Sequence, residues 1–118
     1  MQDSKIEINR TENVALVRFG LSSICAGNDV DEISQTLRSY VCDNHPPKVV
    51  VDFTNVRFFS SQVLGLLVDL WKKLKGCGGF LVLSGIDPQL YRVFRITNLD
   101  KVFAFAPDWQ AAMAMQPN

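Results

Sequence analysis

The amino-acid sequence predicts an α/β domain with a mixed, mostly parallel β-sheet and about four helices, and three observations carry that prediction. From residue 48 onward, strand-like and helix-like segments alternate, the order that crossover helices between parallel strands produce. Val49-Val50-Val51 is a β-branched run with no polar alternation, as expected of a strand covered on both faces. Residues 6 to 9 and 14 to 19 are strand-like runs joined by the polar loop Arg10-Thr11-Glu12-Asn13, which predicts an antiparallel pair ahead of the parallel strands. A chain of 118 residues, 47% of them hydrophobic, fills one compact domain over residues 1–118.

The elements follow in order. After the hairpin, Ile24-Cys25 suits a brief third strand, and Gly27-Asn28-Asp29 supplies breaker and N-cap chemistry for a first helix. Val30, Ile33, Leu37 and Val41 recur at helical spacing, Asp29 and Glu32 have the spacing of a capping box, and His45-Pro46-Pro47 ends the helix. Lys48 to Phe53 is the next strand. Leu64, Leu67, Val68, Trp71 and Leu74 mark the apolar face of a second helix, which closes at Gly76-Cys77-Gly78-Gly79, with lysines near its negative end. Phe80 to Leu83 predicts a buried strand, and Asp87-Pro88 an N-cap with proline at the first helical position. The third helix, near 88 to 96, should bury Leu90, Val93 and Phe94. Val102 to Phe105 reads as the last strand, and Pro107-Asp108 introduces a final helix carrying Trp109, Ala112 and Met113.

Composition narrows the function. Twelve Lys plus Arg against twelve Asp plus Glu leave no basic field for nucleic-acid phosphates and no acidic excess for a disordered tail. Apolar runs stop at four to five residues, against the roughly 20 a spanning helix needs, and Met1 is followed by polar Gln2-Asp3-Ser4-Lys5, so neither a membrane span nor a signal peptide is expected. Three cysteines, Cys25, Cys42 and Cys77, form no CxxC pair, which fits a cytoplasmic protein with reduced, mostly buried thiols and no metal centre.

No catalytic set can be assembled. The single histidine, His45, sits in a Pro-Pro loop suited to a solvated turn. The glycines at 76 to 79 run from a helix into a strand, the reverse of a phosphate loop, and read as helix termination. Arg92 and Arg95, three apart on the third helix, suit a solvated charged face, with anion binding the alternative. What stands out is the junction from Asp52 to Gly65, where Ser60 and Ser61 fall at the start of the second helix behind the pair Phe58-Phe59. Serine there is a preferred N-cap whose hydroxyl satisfies a backbone N–H. A phosphate there would meet free N–H donors and the positive dipole end, so phosphorylation would add charge at an interface without breaking the fold. Of the two phenylalanines, one should enter the core and the other face the surface.

Over nearly its whole length the sequence resembles a STAS domain, the family shared by anti-sigma factor antagonists of bacteria and the cytoplasmic tails of sulfate transporters. Val51-Asp52-Phe53 resembles the family's strand end, Val56 the turn, Phe58-Phe59 the apolar pair before the motif, and Leu64-Gly65 the Leu-Gly of the helix. Ser61 falls on the serine that partner-switching members have phosphorylated, with Ser60 a rival acceptor. Ser60, Gln62 and Val63 stand where the family has Asp, Ser or Thr, and Gly, so a β-branched side chain is expected at the surface where a partner's backbone would approach.

The resemblance implies a non-enzymatic anti-sigma factor antagonist that binds an anti-sigma factor acting also as serine kinase, with a phosphatase to reset it. Its contact surface would be Asn28, Asp29, Phe59, Ser60 and Gln62. The alternative is a STAS sensor or scaffold binding a small anion or nucleotide near Asn28, Ser60 and Ser61 without being phosphorylated. Neither reading calls for a cofactor or a metal.

Overall fold

The computed structural model describes residues 6–11, 14–20, 23–24, 28–44 and 47–115, with backbone alone for Thr11, Ser23, Ile24, Asn28 and Asp29. The hairpin forms as expected: β1 (Ile6–Thr11) pairs antiparallel with β2 (Val14–Phe19). A two-residue strand, β3 (Ser23–Ile24), leads into α1 (Asn28–Asn44), which stops just before the His45-Pro46-Pro47 stretch. Then come β4 (Lys48–Asp52), β5 (Phe58–Phe59), α2 (Ser61–Gly76), β6 (Phe80–Ser84), α3 (Pro88–Ile96), a 3₁₀ turn (Leu99–Lys101), β7 (Ala104–Ala106) and α4 (Trp109–Ala114).

The main sheet has the order β1-β2-β4-β6-β7, with every pairing after the first parallel. β4 lies at its centre and all five of its residues are buried, because helices cover both faces. Alternation along the strands divides the core in two. Ala15, Val17, Val49, Val51, Leu81 and Leu83 face the large cluster that also holds Ile33 and Leu37 of α1, Leu67 and Leu70 of α2, and Phe94 of α3. On the other face Leu16, Val50 and Val82 pack against Ala112 of α4, with Trp109 and Met113 partly buried beside it.

Local signals account for the helix ends. Asp87 accepts a hydrogen bond from the Gln89 amide at 2.9 Å and Pro88 follows at the first helical position of α3. Asp108 accepts from the Ala111 amide at 2.7 Å and opens α4. α2 ends because Gly78 adopts a left-handed φ of 78° and because a Cβ on Gly79 would lie 2.9 Å from the Leu74 side chain.

Several expectations require correction. The last strand begins at Ala104, two residues late, since Asn98 turns left-handed at φ 64° and the 3₁₀ turn takes up the chain through Lys101. The segment around Phe58 is a strand, unrecognised because two residues carry no periodicity; it pairs in parallel with β3 as a small second sheet. Cys42 and Cys77 are both exposed, one residue beyond the buried stripe of α1 and in the turn after α2 respectively. Cys25 and His45 lie outside the described residues. On α3, Leu90 and Phe94 are buried and Val93 is half-buried.

Candidate functional site

The site grows from the carboxyl end of β4, where the chain must turn away from the sheet without leaving a buried polar group unpaired. Asp52 is buried, and its Oδ1 accepts from the Thr54 hydroxyl at 2.6 Å and from the Ser84 hydroxyl at 3.2 Å. Arg18 Nε lies 3.7 Å from Asp52 Oδ2, the guanidinium stacking over the Trp109 ring at 5.1 Å. The register explains the cluster: Arg18, Asp52 and Ser84 are direct neighbours across three adjacent parallel strands. With the Phe53 amide bonded to the Ser84 carbonyl at 2.8 Å and the Val56 amide to the Phe53 carbonyl at 2.9 Å, the turn is fastened at both ends.

A row of aromatic rings supports that turn from below. Phe53 packs on Phe19 with centroids 5.0 Å apart and on Phe59 at 5.8 Å, and Phe59 meets Phe94 edge-on at 5.8 Å. Phe59 is therefore a core anchor for β5. Its expected place on a partner surface is corrected by strand alternation: Phe59 points inward, and its neighbour Phe58, 52% exposed, points out.

β5 delivers the chain to α2. Ser60 is the N-cap in extended conformation (φ −86°, ψ 168°), yet its side chain makes no capping hydrogen bond. Its Oγ is buried without a hydrogen-bond partner, so the expected capping role is corrected: a carbonyl does the work instead, the Ser60 oxygen accepting from the Val63 amide at 3.0 Å. Ser61, the first residue of α2, is exposed, as is Gln62, and the first turn carries no acidic side chain.

Val63 is fully buried, so it does not replace a partner-facing residue. The small position on the outer face is Gly65, one helical turn beyond Ser61, where an added Cβ would meet nothing within 4 Å. Along the same face Asp69 binds Arg38 of α1 at 2.8 Å, tying the two helices together. Asn28 and Asp29 lie in the first turn of α1, their side chains outside the described residues. The structure thus groups Ser60, Ser61 and Gln62 at one helix end, adds Phe58 and Gly65 to the exposed set, and withdraws Phe59 and the Ser60 hydroxyl from it. Alternation within Phe58-Phe59 was the signal for Phe58, but not for which ring faces in.

Among the described residues no cluster of three or more His, Cys, Asp or Glu could hold a metal ion, and no helix is long and apolar enough to cross a membrane. The STAS domain family model matches residues 5–112, which include the small sheet, the turn after β4 and the second helix. The chain belongs to the STAS domain family. An anti-sigma-B factor antagonist of Listeria monocytogenes is 36% identical over 52 residues, 44% of this chain and 46% of the relative. The chain spans about half the length of the curated relatives it matches. A solved anti-sigma-factor antagonist STAS domain protein from Planctomyces limnophilus superposes with TM-score 0.84 at 25% identity, over 95% of this chain and 97% of that one. The phosphorylated form of the Bacillus cell fate determinant SpoIIAA shares the fold at TM-score 0.73 and 17% identity, over 94% and 99% of the two chains.

Proposed function

We propose that this STAS domain is an anti-sigma factor antagonist, a cytoplasmic, non-enzymatic protein whose grip on an anti-sigma factor is controlled by phosphorylation of Ser61. The observation that carries this reading is the contrast at the head of α2, where Ser61 is exposed and the Ser60 hydroxyl is buried. A kinase needs its acceptor oxygen free to reach a γ-phosphate, and only Ser61 meets that need without unwinding the helix start.

The surroundings suit both states of such a switch. With Ser61 unmodified, Phe58, Gln62 and the bare backbone at Gly65 offer a partner an apolar ring, a hydrogen-bonding amide and room for close approach. A phosphate on Ser61 would sit at the positive end of α2, with no carboxylate in the first turn to repel it. It would take the formal charge from 0 to about −2 and place bulk in the middle of the docking face. Binding is lost and the fold is kept. The partner is an anti-sigma factor that is also a serine kinase, and a phosphatase restores the binding form.

The test is incubation with such a kinase and ATP, followed by mass spectrometry of the wild type, Ser61→Ala and Ser60→Ala. One phosphate is expected on the wild type and on Ser60→Ala, and none on Ser61→Ala. Full labelling of Ser61→Ala would overturn the choice of acceptor, and an unlabelled wild type would overturn the switch.

A further inference from the structure

At the other end of α2 lies a cleft that the proposed partner switch does not use. α2 has sixteen residues, so its carboxyl end lies about 24 Å along the helix axis from Ser61. There the last two turns of α2, the glycine turn, the start of β6 and the segment from the 3₁₀ turn into β7 line an open cleft of about 770 Å³.

We propose that this cleft binds a small organic anion carrying a flat apolar group. Its walls combine two kinds of chemistry. The half-buried Trp71 supplies aromatic surface and the exposed Lys75 and Lys101 supply positive charge from two separate elements, while Phe103 lies in the core and Phe80 packs toward the other face of the sheet. No carboxylate lines the cleft, and neither ammonium is ion-paired among the described residues. Lys75 Nζ instead stands over the Trp71 ring, 4.7 Å from its centroid. Two lysines lining one concave surface with no carboxylate in its lining favour an anion there, and a flat ring on that anion gains contact with the Trp71 ring.

The glycine turn leaves the rim bare. Gly78 needs its left-handed φ and Gly79 its close contact with Leu74 for reasons of helix termination. A consequence is that no side chain rises from Gly78, where an added Cβ would meet open space, so a ligand can reach the backbone there.

The experiment titrates the full chain with 8-anilinonaphthalene-1-sulfonate, a sulfonate on a fused ring, reading fluorescence and amide chemical shifts. Saturable one-to-one binding is expected, with shifts gathered at Gly78, Gly79 and Lys101. The double substitution Lys75→Gln and Lys101→Gln should weaken it about fivefold, as the loss of two partly solvated charge contacts would. Both lysines are exposed, and an unchanged thermal midpoint in the double variant confirms that it is folded. The competing anion site is Arg92, Arg95 and Ile96 on α3, which line a smaller cleft of about 260 Å³. Shifts centred on α3, a loss of binding in Arg95→Gln equal to that in the lysine variant, or wild-type affinity in the lysine variant would each overturn the proposal.

Discussion

A Cβ built on Gly85 would lie 2.9 Å from the Asp52 Oδ1 atom, so the turn after β6 closes directly over the carboxylate that ends β4. Gly85 also holds a left-handed φ of 66°, and its amide bonds the Ala106 carbonyl at 3.2 Å. Two independent constraints therefore demand glycine at one position. Gly85→Ala should cost about 2–4 kcal/mol, the sum of a strained backbone and a disturbed Thr54–Asp52 hydrogen bond, measured by urea unfolding. A loss below about 0.5 kcal/mol would mean that the turn simply moves aside.

The three helix caps should respond differently to alanine. Asp87 and Asp108 accept backbone hydrogen bonds at 2.9 and 2.7 Å, so each alanine substitution is expected to cost about 1 kcal/mol. The Ser60 hydroxyl makes no such bond, and Ser60→Ala should stay within about 0.5 kcal/mol of the wild type. Equal losses at all three positions in chemical denaturation would show that Ser60 caps α2 after all.

Phe58 and Phe59 are adjacent and should behave as opposites. Phe59→Ala removes a ring held between Phe53 and Phe94 and should cost about 3–5 kcal/mol. Phe58→Ala should leave the thermal midpoint nearly unchanged while weakening the proposed complex with an anti-sigma factor in calorimetry, since its ring is half exposed.

Lys48 predicts a pH dependence. It is buried at the start of β4, where its ammonium donates to the carbonyls of Met113 and Met115 at 2.9 and 2.5 Å and so holds the carboxyl end of α4. Burial pushes its pKa below the usual 10.5. Between the folded value and 10.5 the unfolded chain binds the extra proton, so stability due to Lys48 rises as pH rises through that window. The stability difference between wild type and Lys48→Met should therefore grow in favour of the wild type from neutral pH to about pH 10. A difference that shrinks with pH would reverse the sign. Amide exchange over α4 should also quicken in Lys48→Met.

Charge at Ser61 should be tolerated by the fold. Ser61→Glu is expected to match the wild type or exceed it by about 0.3–1 kcal/mol, because a carboxylate in the first turn of α2 meets the positive end of the helix dipole. Under the proposed function, the same variant should fail to bind an anti-sigma factor. If it unfolds at ordinary temperature, the separation between switching and folding is wrong.

Short-range pattern alone determined much of this protein. The apolar stripe of α1, the caps Asp87 and Asp108, the glycine stop after α2 and the two-sided burial of β4 all follow from spacing and backbone chemistry that each segment carries within itself. The serine pair at the head of α2 was legible in the same way. Tertiary structure decided what periodicity cannot express, because a residue's burial depends on what another element places against it. It turned Phe59 inward against Phe94 and Phe58 outward, sank Val63 and the Ser60 hydroxyl, left Ser61 and Gly65 open, and paired β5 with β3 across more than thirty intervening residues. Parallel register likewise set Arg18, Asp52 and Ser84 side by side, a polar cluster built from three strands that are far apart in the chain.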